Sequence, residues 1–155
     1  MPNAIVHFEI PADDVQRAKK FYEDAFGWKI SDPWNMNYFL VETRAEGEAG
    51  INGGLMSRQN PGQPFMNYIN VDSIEEACKK VEDAGGAIIL PKREIGQGMG
   101  WIAAFKDTEG NILGFTRLRK NQPDIPPSLP TARFSDVALQ DAKLRDHPPT
   151  AIAYP

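Results

Sequence analysis

Residues 4–10, AIVHFEI, alternate apolar side chains with side chains capable of chemistry, and their reading decides how the rest of the chain is arranged. In an extended strand Val6, Phe8 and Ile10 share one face while Ile5, His7 and Glu9 share the other. The first face is ready to pack on a helix. The second carries an imidazole and a carboxylate two residues apart, so it must look into water or a polar cavity. His7 and Glu9 are therefore the candidate catalytic pair. The plainer reading is a half-exposed strand whose polar residues are simply solvated.

A helix is expected to follow directly. Pro11 ends the extended run, Asp13 or Asp14 can cap, and Val15, Ala18, Phe21, Tyr22 and Ala25 recur at helical spacing until Gly27 stops the helix. Strands are expected over 29–32, 38–43 and 51–57. The last of these contains Asn52-Gly53-Gly54, and glycines inside a strand pattern mark a bulge or a close backbone approach. After the polar linker RQNPGQP, residues 58–64, the same order begins again. FMNYINV reads as a strand, and SIEEACKKVEDAGG as a helix opened by a Ser73-x-x-Glu76 capping box. Strands follow over 87–90, 100–106 and 112–117. Cys78 lies on the apolar stripe of Ile74, Ala77, Val81 and Ala84, which makes it a small core residue rather than a nucleophile.

The two halves align on their helix ends: Glu23-Asp24-Ala25-Phe26-Gly27 matches Glu82-Asp83-Ala84-Gly85-Gly86, an offset of 59 residues. The same offset pairs Glu9 with Tyr68 and His7 with Met66. This is an internal duplication. The fold class is α+β, with two βαβββ modules over about 4–57 and 65–118 making one domain, residues 1–118. Residues 119–155 form a Pro-rich tail, expected to be extended or disordered, with 136–145 able to make a short helix. A helix on one face of each module leaves the other face free. Two four-stranded sheets with open edges are expected to curve those free faces into one concave wall that holds His7, Glu9, Met66, Tyr68 and Asn70.

Composition narrows the function classes. At 155 residues and 17.2 kDa the chain holds one domain with a proper core. A net charge of −4 without a basic cluster makes nucleic acid a poor partner. No apolar run is long enough to cross a bilayer, and the opening MPNAIVHFEI shows no secretory signal, so the cytoplasm is the expected compartment and no membrane partner is expected. The single Cys78 gives neither an internal disulfide nor a zinc pattern. Gly96-x-Gly98-x-Gly100 is spelled like a phosphate loop but runs into the strand-like WIAAF instead of a helix. Ser57 and Ser73 stand in no recognisable nucleophile elbow, and His147 lies in the tail.

Three stretches, HFEIPADDVQRAKKFYEDAFGW, YINVDSIEEACKKVEDAGG and GMGWIAAFKDTEGNILGF, stand in order across this duplicated frame. Together, over about Ala4 to Leu118, the chain resembles the vicinal oxygen chelate superfamily of glyoxalase I, bleomycin resistance proteins and extradiol dioxygenases. The resemblance implies paired βαβββ modules, normally completed by dimerisation into eight-stranded cups that each hold a ligand. It also implies, in members that do metal chemistry, one divalent ion held by four side chains, typically His and Glu, on the first and last strands of each module. Carried over, those positions fall on His7, Met66, about Gly54 and Gly114. Methionine is no ligand for such an ion and glycine offers no side chain. One histidine cannot hold a catalytic metal by itself. The resemblance is therefore of fold, with no metal and no cofactor expected.

Three functions remain open at this level. The chain is a metal-free binding protein for a small organic molecule, with Trp34, Met66, Tyr68, Asn70 and Trp101 as ligand-binding residues. Alternatively it is an enzyme of the same superfamily, lyase, isomerase or dioxygenase-like, in which His7 and Glu9 move a proton or join a recruited metal site. The blandest reading is an interaction module whose cup is filled by its own side chains or tail. Glu9 is expected to find its partner among Lys92, Arg93, Lys106 and His7, and the open sheet edges predict a homodimer.

Overall fold

The computed structural model describes residues 3–33, 35, 37–95 and 99–118. The tail expected over 119–155, Trp34 and residues 96–98 of the glycine-rich loop lie outside the described residues. The elements are β1 (Ile5–Ala12), α1 (Val15–Phe26), β2 (Lys29–Ser31), β3 (Tyr38–Glu42) and β4 (Gly53–Ser57), then β5 (Met66–Asn70), α2 (Ile74–Asp83), β6 (Ala87–Ile95), β7 (Gly100–Lys106) and β8 (Ile112–Leu118). Strand, helix and three strands therefore occur twice, as the duplication predicts. No helix among the described residues is long and apolar enough to cross a membrane.

The strands do not form two separate sheets. They join in one eight-stranded sheet of order β2-β3-β4-β1-β5-β8-β7-β6. The seam is the antiparallel pair β1–β5, where His7 faces Tyr68, Phe8 faces Asn67 and Glu9 faces Met66. On either side of it the pattern repeats. β1 runs parallel to β4 with Glu9 beside Gly54, and β5 runs parallel to β8 with Tyr68 beside Gly114. This pairing corrects the two-sheet expectation: the first strands of the modules complete each other's hydrogen bonding, so only β2 and β6 remain as edges.

Both helices cover the same face. Of the two aspartates that could cap α1, Asp14 does so by accepting from the Arg17 N–H, and Gly27, read as the stop, closes the helix in the left-handed conformation at φ 66°. Val15, Ala18 and Tyr22 pack against Ile10, Ile30, Phe39, Val41 and Leu55. Phe21, expected on that stripe, is 58 % exposed and meets Tyr22 edge-on instead. Ser73 caps α2, whose Ile74 and Ala77 pack with Val71, Ala103, Phe105 and Phe115. Cys78 lies against this cluster, and burial raises its thiol pKa, in keeping with a packing role.

Two strands depart from the sequence reading. A bulge between Ile5 and His7 sets Ile5 opposite Ile69, on the side that packs under α2, and takes it out of the His7 row. β6 runs on through Pro91 to Ile95, which an edge strand with shifted register tolerates.

Candidate functional site

The face turned away from the helices carries His7 and Glu9 at the seam, and both are buried. His7 is 4 % exposed and Glu9 1 %. The alternation that pointed them away from the helix-packed Phe8 and Ile10 is the one in the structure, but no open water meets them. Two tyrosines do. Tyr68 Oη donates to Glu9 Oε2 at 2.8 Å and Tyr38 Oη donates to Glu9 Oε1 at 3.1 Å. Tyr38 Oη also lies 2.8 Å from His7 Nε2, and the Tyr68 ring lies 5.9 Å from the imidazole. These phenols, and not Lys92, Arg93 or Lys106, are the partners that burial of Glu9 requires. Lys92 instead pairs with Glu75 on α2.

Burial dominates the electrostatics. It raises the Glu9 pKa to about 7, against the two phenol hydrogen bonds that favour the carboxylate. It lowers His7 to about 4, opposed in part by the Asn52 backbone. Both phenols are pushed well above the usual tyrosine value by burial and by the Glu9 charge. His7 Nδ1 is buried and makes no hydrogen bond among the described residues.

The glycines of this face are explained by the same tyrosines. A Cβ added at Gly54 would fall inside the Tyr38 phenol, and one added at Gly114 inside the Tyr68 ring. Gly53, on the helix side, leaves equivalent room for the Phe8 ring. Tyr38 was not singled out in the sequence. The available signal was two glycines at equivalent places in duplicated strands, each requiring a bulky neighbour to lie over it.

The other residues read from the sequence divide. Met66 lies directly across from Glu9 and, with Tyr68, belongs to an apolar cluster with Leu90, Ile95, Met99, Ile102 and Ala104 on the same helix-free face. Asn70 is half-buried two residues beyond Tyr68, its backbone bonded to Ala4 and Asn3. Trp101 is not with them. It packs on the α2 side, against the cluster of Val71 and Ile74, with the Lys92 ammonium 5.0 Å from its ring centre.

The four positions that the resemblance assigns to a metal are His7, Met66, Gly54 and Gly114. They do not fit one. Two have no side chain, and the room above each holds a buried phenol with a raised pKa, a poor anionic ligand. Among the described residues no three His, Cys, Asp or Glu side chains gather closely enough to hold an ion.

Comparison with known proteins agrees with this architecture. The model of the glyoxalase/bleomycin resistance protein/dioxygenase superfamily matches residues 4–115. A glyoxylase-like domain-containing protein of Didymella fabae is 35% identical over 108 residues, covering 66% of this chain and 84% of its own. The anthracycline biosynthesis protein DnrV of Streptomyces peucetius is 25% identical over 131 residues, 75% of this chain and 47% of its own, so this chain spans about half of that relative. In fold, the chain is similar to the Mn(II)-bound glyoxalase of Novosphingobium aromaticivorans, with a TM-score of 0.54 at 16% identity over 75% of this chain and 38% of that one.

Proposed function

The chain belongs to the glyoxalase/bleomycin resistance protein/dioxygenase superfamily, and from that premise we propose that it binds a small organic molecule on its helix-free sheet face without a resident metal. One observation carries this reading. A small convergent polar group, His7, Glu9, Tyr38 and Tyr68, stands beside the apolar Met66, Leu90 and Ile102, a mixture typical of small-molecule sites. The ligand is a flat, largely apolar molecule that lies over the Met66, Leu90 and Ile102 side of this face and turns a polar edge toward the His7, Tyr38 and Glu9 group.

Amide NMR spectra of the labelled protein, titrated with phenol, indole and naphthoquinone as planar probes, test this. Saturable shifts at residues 7–9 and 66–68, weakened about tenfold by Glu9→Gln, are expected. Shifts confined to the helix-covered face would contradict it.

A second reading, proton transfer on a bound substrate, is favoured by one feature. Glu9, held at a pKa of about 7, is half ionised near neutral pH, where a general acid or base works best.

A further inference from the structure

The hydrogen-bond chain across the helix-free face fixes proton positions as well as side chains. Tyr38 has a single hydroxyl proton. When Glu9 is ionised, Tyr38 gives that proton to Glu9 Oε1, so its 2.8 Å contact with His7 must be donated by Nε2. The neutral imidazole then carries its proton on Nε2 and leaves Nδ1 unprotonated and buried, without a hydrogen-bond partner among the described residues. When Glu9 is protonated on Oε1, every direction reverses. Glu9 donates to Tyr38, Tyr38 donates to Nε2, and the imidazole proton sits on Nδ1.

We propose that His7, Tyr38 and Glu9 form a proton relay in which a proton taken up at His7 Nδ1 is held on Glu9. The step balances with one proton and no co-reactant. A new N–H bond forms at Nδ1 as the Nε2 proton passes to Tyr38 Oη, and the original Tyr38 proton passes to Glu9 Oε1. His7 and Tyr38 keep their neutral forms, and Glu9 changes from carboxylate to acid.

The surroundings favour this route. Glu9 is 1 % exposed and each of its oxygens is covered by a phenol, so a proton reaches it through a tyrosine. Tyr38 leads on to an imidazole nitrogen, whereas Tyr68 meets that ring only through its own ring. Facing Glu9 are Tyr38 from β3, Tyr68 and Met66 from β5, and the glycines Gly54 of β4 and Gly114 of β8. Facing His7 are Tyr38, Tyr68, the Phe8 ring and the Asn52 backbone. Among the described residues no lysine, arginine or second carboxylate contributes to the shift of either group. With Glu9 near 7 and His7 near 4, a proton arriving near neutral pH rests on Glu9 and leaves the imidazole neutral.

The relay rests on the proposed binding site, because the His7, Tyr38 and Glu9 that carry the proton are the polar group of that site. Its test needs no ligand, so the two readings can fail separately. Nitrogen-15 NMR of labelled imidazole reports which ring nitrogen carries the proton. Between about pH 9 and about pH 5, the protein is expected to switch its His7 proton from Nε2 to Nδ1 with a midpoint of about 7. Tyr68→Phe should keep the switch, while Tyr38→Phe and Glu9→Gln should hold a single tautomer throughout, with folding verified from their amide spectra. One unchanging tautomer in the unaltered protein, or a switch that survives Tyr38→Phe, would overturn the relay.

Discussion

Glu9 and His7 illustrate what burial does to two groups of opposite charge type. The folded Glu9 pKa is raised to about 7 from 4.5, so between those values the folded state binds more protons than the unfolded one. Its contribution is therefore full below pH 4.5 and is lost as pH rises to 7, by roughly 3 kcal/mol. His7 is lowered to about 4 from 6.5, so its contribution runs the other way, with stability rising over that window as the unfolded imidazole releases its proton. The two slopes oppose each other between about pH 4.5 and 6.5 and nearly cancel in the unaltered protein. Urea melts at stepped pH should show the stability of wild type relative to Glu9→Gln falling as pH rises from 4.5 to 7. A relative stability of wild type that rises over this window would contradict the buried, raised carboxyl. The glycines give a second prediction at this scale. Gly54→Ala or Gly114→Ala drives a methyl into a packed tyrosine and should cost about 1–3 kcal/mol by the same melts. At this scale the strand alternation made His7 and Glu9 legible, since it is local. Tyr38 was not, because it reaches Glu9 from β3, 29 residues away in sequence.

At the scale of elements the duplication carried the most information. Caps, glycine stops and 3.6-residue stripes are set by neighbouring residues, so α1 and α2 begin and end where the sequence placed them. Asp14→Ala, which removes the acceptor for the Arg17 N–H, should lower stability by about 1 kcal/mol, with Asp14→Ser restoring most of it. No loss in Asp14→Ala would show that the cap is not formed. Strand ends were harder to read. The bulge at Val6 and the passage of β6 through Pro91 depend on what the strand pairs with, which no local pattern states. Trp101 shows the same limit. Its place under Lys92 on the α2 side follows from β7 register, whereas an isolated tryptophan in a sequence reads equally well as core or as ligand wall.

For the whole molecule, the β1–β5 seam brings both modules into one sheet and so places Glu9 and its counterpart Tyr68 in hydrogen-bond contact. The remaining edges, the three-residue β2 and the proline-bearing β6, are short or interrupted, which weakens the edge-pairing argument for a dimer. We still propose a homodimer, now on the exposed aromatic surface of Phe21, Phe26 and Phe65. Light scattering on a sizing column should return twice the 17.2 kDa chain mass at micromolar concentration, and a clean monomer would remove the proposal. The central claim is that His7, Met66, Gly54 and Gly114, with two phenols packed over the glycines, do not make a metal site. Incubation with Mn, Ni or Zn followed by gel filtration and elemental analysis tests it most directly. The account predicts far less than one ion per chain, unchanged in His7→Ala. One ion per chain, lost in His7→Ala and in Glu9→Gln, would contradict it.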